Sequence, residues 1–140
     1  MHVAPIAATD THDLRRRVLR DGEPDAVVSW SVDDEPGTVH LGVFDDDGRL
    51  IGVSTWCRTE TGVQLRGMAT DPEALGRGVG SLLVGAGLER ARGLGERRVW
   101  ANARVTALGF YERQGFVATG PVFETLDTGL PHRLVAIPLV

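Results

Sequence analysis

The chain has 140 residues, a net charge of −4, 42% hydrophobic and 24% charged residues, the balance of one ordinary globular domain spanning 1–140. The negative charge gives a general nucleic-acid binder no electrostatic footing, and no run approaches the roughly 18 apolar residues of a membrane span. All 15 basic residues are arginine, which excludes lysine Schiff-base chemistry and a lysine-bearing P-loop.

The start, Met1-His2-Val3-Ala4-Pro5, lacks the basic and apolar regions of a secretion signal. Residues 1–9 read as a loose lead-in. Thr9 to Arg20 reads as a short helix capped by Asp10 or Thr11, with Leu14, Val18 and Leu19 on its apolar side. Strand-like runs follow at Ala26–Val32, Thr38–Phe44, Leu50–Arg58 and Val63–Thr70. Asp45-Asp46-Asp47-Gly48 is a hairpin turn signal between the second and third. Asp71-Pro72-Glu73 then stops the strand. Val79, Leu82, Leu83 and Ala86 mark a helix from Val79 to about Leu94. Arg97–Ala103 is a strand, Thr106–Gln114 a short helix closed by Gly115, and Phe116–Glu124 and His132–Leu139 are strands. A strand-helix-strand unit of this length makes a right-handed parallel crossover. The predicted class is α/β (α+β): one mixed, mostly antiparallel sheet with flanking helices.

Between the fourth strand and the long helix stands Met68-Ala69-Thr70-Asp71-Pro72-Glu73-Ala74-Leu75-Gly76-Arg77-Gly78-Val79-Gly80-Ser81. Glycines at 76, 78 and 80 let backbone N–H groups and a helix N-terminus converge on one point, an anion site. Arg77 adds a phosphate-pairing charge. A dinucleotide fingerprint needs glycine where Ser81 stands. Glycine used only for tight packing is the plain alternative. Cys57 and the tryptophans Trp30 and Trp56 read as packing residues, with a place for the tryptophans in an acceptor pocket as the other reading. Four scattered histidines lack metal spacing, so no metal is expected. A lone cysteine cannot form an internal disulfide and fits a reducing, cytoplasmic setting.

The glycine turn resembles the pyrophosphate-binding motif of the GNAT acyltransferase superfamily, Gln/Arg-x-x-Gly-x-Gly/Ala, through Gly78 and Gly80. Leu75 stands at the leading basic or amide position, and Arg77 is placed to supply the charge. Phe110-Tyr111-Glu112-Arg113-Gln114-Gly115-Phe116 is similar to the family's second hallmark. The resemblance covers roughly 38–140, and the segment Asp127–His132 looks like the ElaA-like branch. It implies acetyl-CoA as cosubstrate and a parallel strand pair that splays apart. It implies CoA contacts from Met68, Ala69, Thr70, the backbone of Gly76, Arg77, Gly78, Val79, Gly80 and Ser81, and from Arg104 or Asn102. The reaction implied is direct acetyl transfer to a small-molecule or peptide amine. Tyr111 is the candidate general acid, since a phenol stays protonated at neutral pH. The fourth strand carries no acid. Glu124 and His132, then His40, are candidate bases, beside a water relay or a low-pKa amine. The negative charge and Asp-rich loops point to a cationic acceptor. A non-catalytic CoA-binding module and a homodimer-forming structural domain are the other readings.

Overall fold

The computed structural model describes residues 1–126 and 128–140; Asp127, part of the segment that resembles the ElaA-like branch, lies outside the described residues. The strands are β1 (His2–Ile6), β2 (Val39–Phe44), β3 (Leu50–Thr59), β4 (Gly62–Thr70), β5 (Arg98–Arg104), β6 (Val117–Glu124) and β7 (Pro131–Pro138). They form one sheet in the order β1-β2-β3-β4-β5-β7-β6. Every pairing is antiparallel except β4–β5. The predicted fold class is therefore the observed one.

Helices cover the two faces. The first helical run, α1, passes from 3₁₀ (Ala8–Thr11) through α (His12–Leu14) to π geometry (Arg15–Leu19). Its N-cap is Ala7 rather than Asp10 or Thr11; the Asp10 carboxylate accepts from the Ala7 amide at 3.0 Å. Leu14 buries on Val53 and Ala69. On the other face α2 (Val79–Gly93) sets Val79, Leu83, Val84, Leu88 and Ala91 into the main core. A short helix, α3 (Leu108–Arg113), follows β5, and its last turn closes through Gly115 N–H on the Glu112 carbonyl at 3.0 Å.

Close approach of α2 explains one glycine and not its neighbour. A Cβ at Gly87 would overlap the Trp56 ring, whereas one at Gly85 would meet open space. Trp56 is 1% exposed and its Nε1 donates to Ser54 Oγ at 2.8 Å, so the ring cannot retreat. Gly87→Ala is expected to cost about 3 kcal/mol by overpacking. Gly85→Ala should gain up to about 1 kcal/mol from helix propensity. Urea unfolding of the two variants checks this contrast, and equal shifts would refute the packing explanation.

Two further sequence expectations are overturned. His2–Ile6 is not a loose lead-in but an edge strand paired with β2, where Pro5 is tolerated because an edge leaves one side of the backbone unpaired. Ala26–Val32 is not a strand. It runs as irregular chain into a 3₁₀ turn (Ser31–Asp34), and Val27 is 68% exposed. The Val28 carbonyl is taken by the Arg15 guanidinium at 2.8 Å. A side chain thus supplies the partner that a strand neighbour would have given.

Candidate active site

The site begins at a defect in β4. Val53 pairs with Ala69 and Thr55 with Arg66, so Gly67 and Met68 together oppose Ser54 in a bulge. Gly67 has φ +57°, and a Cβ there would come within 2.8 Å of the Trp30 ring. Only glycine serves both demands. The bulge bends β4 away from its parallel neighbour. β4 and β5 pair only at Val63–Val99 and Gln64–Trp100. Beyond that point the strands part, and the edge of β4 that faces β5 has no ladder partner.

A cavity of about 950 Å³ opens at this splay. Gln64 to Met68 form one wall, and Asn102, Ala103 and Arg104 the other. Tyr111 enters from α3, and Phe123, Glu124 and His132 from β6 and β7. Trp30 belongs to the wall on the α1 side. Of the three residues expected to contact CoA from β4, only Met68 lines the cavity. Ala69 is buried against α1, and Thr70 lies further along toward the glycine turn.

Tyr111 is 7% exposed, held edge-on by Phe110 and Phe116 at ring distances of 5.4 and 5.3 Å. Among the described residues it makes no hydrogen bond, yet its hydroxyl is not sealed in the core. Burial pushes its pKa up to about 12. The phenol is therefore a proton donor at the cavity wall with no acceptor among the described residues.

The candidate bases separate. His132 is 7% exposed on the wall, stacked on Phe123 at 6.2 Å. Its Nδ1 lies 2.7 Å from the Leu130 carbonyl. A carbonyl only accepts, so Nδ1 carries the proton and Nε2 of the neutral ring keeps its lone pair. Glu124 also lines the cavity, exposed at its rim. His40 does not line it. Its two nitrogens are engaged by Thr55 Oγ1 at 2.7 Å and the Asp33 carbonyl at 3.1 Å, so His40 is a buried structural residue.

The glycine turn stands apart from the cavity, at the N-terminus of α2. Gly78 is the N-cap at φ +81°, with no side chain capping the helix. The first N–H groups of a helix need external partners, and here exposed residues Gly76, Arg77 and Gly78 flank them. Val79 buries its side chain, leaving only backbone to a ligand. Gly80 lets the Phe110 ring approach to 3.1 Å of a notional Cβ. Ser81 Oγ accepts from Gln114 Nε2 at 2.9 Å, which ties α2 to α3. Arg77 has no ion pair among the described residues.

Asn102 and Arg104 line the cavity, and Arg104 donates to the Leu19 carbonyl at 3.1 Å across to α1. Sequence reasoning missed the bulge, although glycine inside a strand pattern is its usual signal. It also missed Arg15, which is fully buried and paired with Asp33 at 2.8 Å. Nothing in a run of three helical arginines, Arg15 to Arg17, singles that one out.

Residues 7–116 match the family model described as the acetyltransferase (GNAT) family. The chain is 31% identical over 136 residues to the N-acetyltransferase YitI of Bacillus subtilis strain 168, covering 92% of this chain and 91% of that protein. Its fold matches Escherichia coli ElaA with a TM-score of 0.79 at 18% identity, over 97% of this chain and 99% of that one. It also matches an aminoglycoside 6'-N-acetyltransferase solved with coenzyme A, with a TM-score of 0.82 at 14% identity, over 100% and 98%. A parted parallel strand pair, a glycine turn opening the long helix and a match running from the start of α1 through α3 lead to one assignment: the chain belongs to the GNAT family of N-acetyltransferases.

Proposed function

We propose that residues 1–140 act as one catalytic domain that moves acetyl from acetyl-CoA to an amine by direct attack in a ternary complex. The observation that carries this reading is Tyr111 on the wall of the cavity between β4 and β5, its hydroxyl without a partner among the described residues. The backbone of Gly76, Arg77, Gly78, Val79, Gly80 and Ser81 would hold the diphosphate, helped by the α2 dipole. The unpaired edge of β4, from Met68 toward Ala69 and Thr70, would take the pantetheine amides. Asn102 and Arg104 would lie at the acyl end of the cosubstrate rather than at its diphosphate.

The chemistry follows from these positions. His132 Nε2 removes a proton from the ammonium of the acceptor, with Glu124 favouring the cation at the rim. The freed amine forms a C–N bond at the thioester carbonyl, whose oxygen becomes an oxyanion facing the N–H groups of the β4 bulge. The C–S bond then breaks as Tyr111 donates its proton to the departing thiolate, and the second proton that the attacking nitrogen gives up as the amide forms returns to the tyrosine oxygen, directly or through water.

Mixing the chain with acetyl-CoA and a broad set of amines should release free thiol at a rate that depends on the amine. Saturating acetyl-CoA should also raise the unfolding free energy, by about 2.7 kcal/mol at a hundredfold excess over Kd. Stabilisation without thiol release for any amine would leave a CoA-binding module instead of an enzyme.

A further inference from the structure

We infer that the acceptor carries a carboxylate beside its amine, and that Arg66 and Arg104 hold it. This rests on the acetyl-transfer reading above and names the substrate class of the same cavity.

On β5, Val99, Ala101 and Ala103 are buried in the core beneath α2. Side chains alternate along a strand, so Asn102 and Arg104 face the other way, toward α1 and Trp30. On β4, Val63 and Leu65 are core residues, which turns Gln64 and Arg66 to that same face. His132 is the ladder partner of Arg104. The charged side chains of the cavity are thus gathered on one face, beside the candidate base.

Their sum is positive. Leaving aside Arg20, which is already engaged, the wall holds Arg66 and Arg104 against one carboxylate, Glu124, among its described residues. Arg66 is half-buried and makes no hydrogen bond or ion pair among the described residues. Its guanidinium lies 5.0 Å from the Trp30 ring centroid, a contact with the aromatic face that leaves its N–H donors free. Arg104 gives one N–H to the Leu19 carbonyl, a neutral acceptor, and has no ion pair among the described residues. Asp33 cannot serve either group, because its two carboxylate oxygens are bound to Arg15 at 2.8 and 2.9 Å. Guanidinium donors form a fixed fork that matches a carboxylate. A carboxylate between Arg66 and Arg104 would bring an adjacent amine to His132. The chain's net charge of −4 suggested a cationic acceptor, but exposed charges beyond roughly 8 Å are screened by salt, and the wall arginines are not.

The test is kcat/KM for the twenty common amino acids, for their carboxamides and for spermidine, with saturating acetyl-CoA. The best amino acid should exceed its own carboxamide by about tenfold or more, mostly through KM. Arg66→Gln should shrink that ratio at least about fivefold, and Arg66→Lys, which keeps the charge but loses the fork, should shrink it by less. Carboxamides or spermidine turning over as well as the amino acids overturns the carboxylate inference and leaves acetyl transfer standing. Turnover of no amine in the set overturns both.

Discussion

Tyr111→Phe should lower kcat by about 10²- to 10⁴-fold, the usual contribution of a positioned general acid, while the Kd for acetyl-CoA changes less than about twofold. The ring packs edge-on against Phe110 and Phe116, and Phe keeps both contacts. The hydroxyl has no hydrogen-bond partner among the described residues, so its removal orphans no buried group and should leave stability nearly unchanged. Stability and catalysis are separable at this residue for that reason. Burial holds the phenol near a pKa of about 12, so it remains protonated through and well above neutral pH. The same apolar surroundings raise the proton affinity of a thiolate leaving beside it, which keeps donor and acceptor matched. The pH profile of kcat should therefore show no alkaline limb from this group below about pH 11. Loss of less than about threefold in kcat, or a limb near pH 10 that vanishes in Tyr111→Phe, would count against the assignment.

Asp33→Ala should remove about 3–5 kcal/mol of stability, the cost of leaving a buried charge without its partner. Arg15 is fully buried, bonded by two nitrogens to Asp33, by one to the Val28 carbonyl and by another to Thr55 Oγ1 at 2.7 Å. Its guanidinium also lies 3.9 Å from the Trp30 ring centroid. Without Asp33 that charge stays in the interior uncompensated. Burial raises the Asp33 pKa, but the Arg15 hydrogen bonds and the Trp30 amide outweigh it and hold it below the usual carboxylate value. A carboxyl whose pKa is lower in the folded state stabilises the fold above its unfolded pKa of about 4, and that contribution is lost as pH falls through the folded value. Wild-type stability should accordingly decline below about pH 4, with a smaller decline in Asp33→Ala. The double variant Arg15→Met/Asp33→Leu should recover much of the loss, since paired apolar replacement removes both desolvation costs. Urea unfolding measures all of these. An Asp33→Ala loss below about 1 kcal/mol would show that the pair is dispensable.

The pair also explains how a distant part of the chain shapes the cavity. Arg15 grips the segment that carries Trp30, and Trp30 fills the space that Gly67 leaves open on β4. That coupling was illegible in the sequence, because it depends on which of several adjacent arginines turns inward. Ala26–Val32 misleads for the same reason: its β-branched run signals a strand, but a guanidinium meets its backbone. By contrast, the glycine turn and the α2 periodicity were legible, since a helix start after a blocked strand has local chemistry at every step. The short helix that carries Tyr111 was legible from the Phe-Tyr-Glu-Arg-x-Gly-Phe pattern, and the closing turn at Gly115 with it. Chain order alone placed His132, on a C-terminal strand, ahead of His40 as a candidate base. Their neighbours separate them further: His132, on the cavity wall, engages one ring nitrogen, and His40 spends both on Thr55 and Asp33.

The most direct measurement is a crystal structure of the acetyl-CoA complex. The account predicts the diphosphate on the N–H groups of Gly76 to Ser81, the thioester oxygen beside the β4 bulge, and the sulfur within about 3.5 Å of the Tyr111 hydroxyl. Pantetheine running outside the gap between β4 and β5, or a sulfur out of reach of Tyr111, would contradict it.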